Sequence, residues 1–206
     1  MKVALGFKAH SGWAALVAIG KAANQFVVVD RRRIELVRET DVRWAKQPYH
    51  AAEDLESDEA RGLIERVTKS AHREAEREIR EAVKRLLKDK HEVAACAILA
   101  PNPMPDWTVS QILAVHFRMH QAEGVMFPAA LVHAADKCGL KVATIPEKTL
   151  DDYATKVTRT SLSELKAEIG RLGKTVGPPW ASDQKNAALT AISALAQLDT
   201  DRKRKR

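Results

Sequence analysis

The stretch MKVALGFKAHSGWAALVAIGKAANQFVVVDRRRIELVR, residues 1–38, reads as three successive strands. Val3, Leu5 and Phe7 alternate with other residues up to the turn-forming His10, Ser11 and Gly12, and Trp13 to Ile19 follows as a run dense in valine, isoleucine and aliphatic neighbours. That pairing predicts a hairpin. After a break over 20–25, Phe26 to Val29 opens a third strand that continues through Asp30 and the run Arg31, Arg32, Arg33 to Ile34, Leu36 and Val37. The alternation predicts one face on a core and one in water. Three antiparallel strands followed by helix and strand units describe a mixed α/β sheet.

Outward from that stretch, residues 39–57 contain Pro48 and no sustained period, and read as a connection over the sheet edge. A long helix follows. Leu63, Ile64, Val67, Ala71, Ala75, Ile79, Ala82, Val83, Leu86 and Leu87 recur at helical spacing, and closely balanced Glu, Arg and Lys fill a solvated opposite face. Val93 to Leu99 reads as a buried strand stopped by the prolines of 101–105. Thr108 and Gln111 form a capping box for a helix through Ile112, Leu113, Val115 and Phe117; a helical pattern continues over 125–138 to a C-cap at Gly139. Leu140 to Ile145 is the last strand. Ser161 and Glu164 cap an amphipathic helix with its stop at Gly173, and a final helix starts with Ser182 or Asp183 as its N-cap.

At 206 residues, 45% apolar and 30% charged, the chain has the composition of one globular α/β domain. No apolar run reaches the roughly 20 residues that span a bilayer, and no leader pattern opens the chain, so a cytoplasmic location is expected. Cys96 and Cys138 have no CxxC partner and read as buried, reduced thiols. The net charge of +7 favours an anionic partner, although five of those charges sit in the basic end 202–206, read with its neighbours as a disordered tail over 199–206. There is no Gly-x-Ser-x-Gly elbow and no nucleotide-binding phosphate loop.

The order of elements, with a long helix after three antiparallel strands, resembles the ribonuclease H-like fold. The segments Gln121 to Val125, Ala134 to Val142 and Ile145 to Lys148 resemble the matching helix, strand and proline segment of RuvC-type Holliday-junction resolvases. Ala181 to Lys185 resembles the approach to their closing helix, which carries an acidic metal ligand and a nearby lysine. The resemblance implies a ribonuclease H-like mixed sheet with helices on both faces, in one domain over 1–198 with 151–176 as an insertion. It also implies carboxylates on the first strand, the fourth strand and the last helix, holding two divalent metals about 3.5 to 4 Å apart. Lys8 stands at the first of these positions, no acid lies near Ile98, Leu99 or Ala100, and only Asp183 matches. A full acid set would need Asp30, Asp106 or Glu123 to reach in.

The expected function is therefore that of a resolvase-like protein with a degraded metal site, holding DNA or RNA without cutting it and using no cofactor. Lys8, His10, Arg31, Arg33, Asp183 and Lys185 are the candidate nucleic-acid contacts, with Lys8 either holding phosphate beside Lys185 or pairing with Asp183 in place of a lost metal. Alternate residues of a strand share a face, so at most two of Arg31, Arg32 and Arg33 act together, and a charged, solvated edge is the simpler reading of that run. Trp180, after two prolines, reads as a cover for the core end in preference to a base-stacking platform. His116 and His120, four apart on a helix, with Glu123 a turn further on, form a candidate metal set. Two alternatives stand beside this: a nuclease using magnesium or manganese with a rearranged acid set, and a protein-interaction or homodimer scaffold.

Overall fold

The computed structural model describes residues 1–23, 25–38 and 42–204. Five strands form one sheet in the order β3-β2-β1-β4-β5: β1 Lys2–His10, β2 Trp13–Ala22, β3 Gln25–Glu35, β4 Glu92–Ala100 and β5 Val142–Pro146. The first three are antiparallel, while β4 pairs parallel with β1 and β5 parallel with β4. The expected strand order of three hairpin-connected strands and two in helix-strand units is the observed one. Residues 39–41 of the predicted connection lie outside the described residues; its remainder holds two single-turn helices, α1 Val42–Ala45 and α2 Pro48–Ala51.

Two layers of helix close the sheet. On one face α3, Ser57–Lys88, and α5, His116–Lys137, pack Val67, Ala71, Ala75, Ile79, Phe127 and Leu131 against Val3, Leu5, Phe7 and Leu16. On the other lie α6 (Leu150–Thr158), α7 (Leu162–Val176) and α8 (Ser182–Arg204), whose Ala187, Ala191 and Ile192 meet Ala4, Ala15, Val17 and Ala97. β1 and β2 are thus buried on both faces, which corrects the expectation of a wet face. The edge strand β3 is partly exposed along most of its length and does not alternate between buried and exposed residues until 33–35. The outer face of α3 carries the expected lattice of ion pairs, such as Lys69–Glu65 and Arg80–Glu76.

Several boundaries differ from the sequence reading. The helix capped by Thr108 is only α4, Val109–Leu113, and a break at Ala114 and Val115 precedes α5, so Phe117 begins a new helix and stays 67% exposed. Gly173 does not stop α7, which runs three residues further to Val176; Trp180 packs so closely on Gly173 that a Cβ there would lie 2.3 Å from the indole. Trp180 donates its Nε1–H to Ile169 O and packs, half-buried, on the end of the core. Ser182 is the first helical residue of α8, and Gln184 caps from inside by accepting from Ala181 N. α8 continues to Arg204, so 199–204 is helix where a disordered tail was expected; Lys205 and Arg206 lie outside the described residues. Among the described residues no helix is long and apolar enough to cross a membrane.

Gly6 fixes the position of α8. A Cβ at Gly6 would lie 2.0 Å from Ala187 O and 2.6 Å from Ala191 N, so the helix backbone rests directly on β1. Two residues on, Lys8 and His10 emerge on the same face of β1, beside the first turn of α8.

Candidate nucleic-acid interface

In open α/β sheets ligands collect at the carboxyl ends of parallel strands, where successive connections leave in opposite directions. Here that place is the end of β1 and β4. Lys8 lies beside Leu99 of β4, and Leu99 beside Ile145 of β5, so Glu147 follows β5 two strands away from Lys8. Between them lie apolar Leu99, near the end of β4, and Pro101 just after it. Lys8 Nζ crosses this gap to Glu147 Oε1 at 2.6 Å, with its side chain 14% exposed. Beside it, His10 Nε2 is 2.8 Å from Asp183 Oδ1. The pairing of Lys8 with Asp183 expected from sequence is therefore replaced by two pairs, Lys8 with Glu147 and His10 with Asp183. Lys8, His10, Glu123 and Glu147 line a cavity of about 250 Å³.

A row of rings and cations extends from this cavity across the hairpin. His10 stacks on Trp13, its cross-strand neighbour, with ring centres 4.5 Å apart and 15° between planes. Arg33 lies 4.1 Å from the Trp13 ring centre and pairs with Glu35, keeping half its side chain in water. Arg31 shares that sheet face but is committed elsewhere: it donates to Gly177 O at 2.7 Å and Pro179 O at 2.6 Å, tying β3 to the connection between α7 and α8. Arg32 points the opposite way, onto Asp30. Lys185 also leaves the set. It lines a separate cavity of about 420 Å³ with Asp151, Lys166 and Leu189, between α8 and the α6–α7 pair.

The three candidate metal ligands divide as well. His116 and His120 stay together on α5, with their Nε2 atoms 3.2 Å apart. Glu123 turns inward instead, 5% exposed, where it accepts from Tyr49 N, His50 N and His50 Nδ1. Sequence reasoning missed His50. It sits in a proline-flanked stretch with no period, 66 positions before its neighbour His116, and nothing local marks the two as neighbours. The ring nitrogens of His50, His116 and His120 lie within 4.8 Å of one another, and no other such cluster of three ligating side chains exists among the described residues. Asp30 is held by Arg32, and Asp106 is exposed in the loop before α4, so neither joins Asp183.

Comparison with solved structures finds Thermus thermophilus RuvC, with a TM-score of 0.52 at 11% identity over 97% of this chain and 96% of that one. The fold is that of RuvC. A second structure, T. thermophilus RuvC in complex with Holliday junction substrate, matches with a TM-score of 0.53 at 9% identity over the same shares. No protein-family model and no curated protein sequence matches the chain. The likeness to RuvC thus rests on backbone architecture: the mixed five-stranded sheet, α3 and α5 on one face and α8 on the other. The segment 151–176, read as an insertion, contributes Ala154, Leu165, Ile169 and Leu172 to the core beneath α8.

Proposed function

We propose that this chain holds nucleic acid at the carboxyl ends of β1, β4 and β5 and does not cut it. The observation that carries this reading is the Lys8–Glu147 pair, which puts an ammonium where the resemblance calls for a carboxylate. Two divalent ions in a phosphodiester site need several carboxylate oxygens free to bind them. Around this cavity Glu147 is taken by Lys8, Asp183 by His10, and Glu123 by two backbone amides and His50. The residues do not fit a two-metal centre.

Support for a polyanion comes from the rim. Lys148 is exposed beside the cavity, and Arg33 and His10 flank Trp13, a combination of cation and ring suited to phosphate and base. RuvC, which has this fold, is bound to a Holliday junction in one of its structures.

The test is fluorescence anisotropy on single-stranded, duplex and four-way-junction DNA and on RNA, with a parallel cleavage assay in magnesium and in manganese. Binding that weakens as salt rises is expected, without cleavage. Lys8→Glu should weaken it about tenfold and lower the salt slope by about one. An affinity that Lys8→Glu leaves unchanged removes Lys8 from the interface. Cleavage in either metal, abolished by Asp183→Asn, replaces this reading with that of a nuclease using a rearranged acid set.

A further inference from the structure

We infer that His50, His116 and His120 form a binding site for one zinc ion, with Glu123 as the residue that orients His50. Three rings from two separate segments meet edge-on: the centres of His50 and His116 are 5.0 Å apart at 83°, those of His50 and His120 4.6 Å at 53°, and those of His116 and His120 4.8 Å at 89°. This brings ring nitrogens together. The 3.2 Å between Nε2 of His116 and His120 is close to the edge of a tetrahedron drawn with zinc–nitrogen bonds of about 2.0–2.1 Å.

Glu123 supplies the stronger argument. Its carboxylate lies 2.9 Å from His50 Nδ1, which places the ring proton on Nδ1 and the lone pair on Nε2. That Nε2 has no hydrogen-bond partner and is shielded from solvent. A buried acceptor without a donor is rare in folded proteins, and a carboxylate behind a histidine whose other nitrogen is free is the arrangement that holds histidine ligands on zinc. Accepting from Tyr49 N and His50 N as well, Glu123 fixes the backbone that carries the ring.

The close pair of histidines outside this cluster behaves differently. His72 and His133 lie flat on one another, 4.2 Å apart at 16°, in the manner of simple ring stacking.

Nitrogen donors without carboxylate oxygens select zinc over magnesium or calcium. His116 and His120 are exposed, and His120 lines an open cavity of about 440 Å³ with Glu147 and Lys148, so an ion can enter from water. Three protein ligands leave a fourth position for water or an anionic oxygen. The zinc ligands are none of the proposed nucleic-acid contacts; Glu123 borders both places, and His116→Ala tests the zinc site without touching the Lys8 cavity.

The experiment is isothermal titration of the full chain, cleared with a chelator, against zinc chloride, followed by cobalt substitution read by visible absorption. One ion per chain with micromolar or tighter affinity is expected, with the intense cobalt bands of a tetrahedral site. His116→Ala, on the surface, should weaken binding at least tenfold, as should His50→Ala; Glu123→Gln should weaken it about 10- to 100-fold. His72→Ala, outside the cluster, should change nothing. Circular dichroism of each variant separates lost ligation from lost fold, and His116→Ala keeps the test decisive if Glu123→Gln unfolds. No saturable binding, or binding that His50→Ala leaves unchanged while the fold is intact, overturns the proposal.

Discussion

At Gly6 a single hydrogen atom separates β1 from α8. Gly6→Ala would drive a methyl group into Ala187 O and Ala191 N, both backbone atoms that can move only with the helix. The expected cost is about 3 kcal/mol, at the upper end of ordinary overpacking, read as a lower urea midpoint with an unchanged slope. The same residue scale marks where sequence reading stopped short. Lys8 was legible as an oddity because it stands where the resolvase resemblance calls for an acid, but its partner was not. Glu147 lies 139 positions away, and only the parallel register of β1, β4 and β5 brings it within reach. His50 was invisible for the same reason, as its neighbours are set by the packing of α2 on α5.

At the scale of elements, the α3–α5 pair carries a pH response. His72 on α3 lies against His133 on α5, and burial first, then the charge on His133, hold its pKa below the ordinary 6.5. The unfolded chain therefore takes up this proton more readily than the folded one. Stability from this group is complete above about pH 6.5 and is lost as the pH falls below that value toward the folded one. Glu65, Glu81 and Glu164 have lowered values, so their contributions disappear only further down, around and below 4.5. Denaturant midpoints should fall as the pH is lowered below about 6.5, and His72→Gln should flatten that fall. Elements were the most legible scale. Both capping boxes, Thr108 with Gln111 and Ser161 with Glu164, form as their sequences indicate, because each is a local exchange of hydrogen bonds. Where a distant contact decides, local reading failed: Trp180 settles the use of Gly173, and the connection after α7 engages Arg31.

For the whole molecule, the segment 151–176 is a structural layer. Leu165, Ile169 and Leu172 lie over Leu189 and Ile192 of α8, so replacing 151–176 with a short flexible linker should uncover apolar surface along that helix. Increased dye binding to exposed hydrophobic surface and loss of a sharp thermal transition are expected; a fully cooperative, monodisperse product would mark the segment as dispensable. The layer was not legible as such, because its stripe of four apolar residues is complete only once α8 is present to receive it. The succession of strands along the chain, by contrast, followed from the run 1–38 and the β4 and β5 patterns, while their sheet arrangement was what the ribonuclease H-like resemblance implied. The main-chain contact at Gly6 also decides what this frame tolerates. Its spacing is set by backbone atoms, so Lys8, His10, Glu147 and Asp183 around the cleft can be exchanged while the frame keeps its dimensions. A match to RuvC over nearly the full length of both chains at 11% identity is accordingly a likeness of frame.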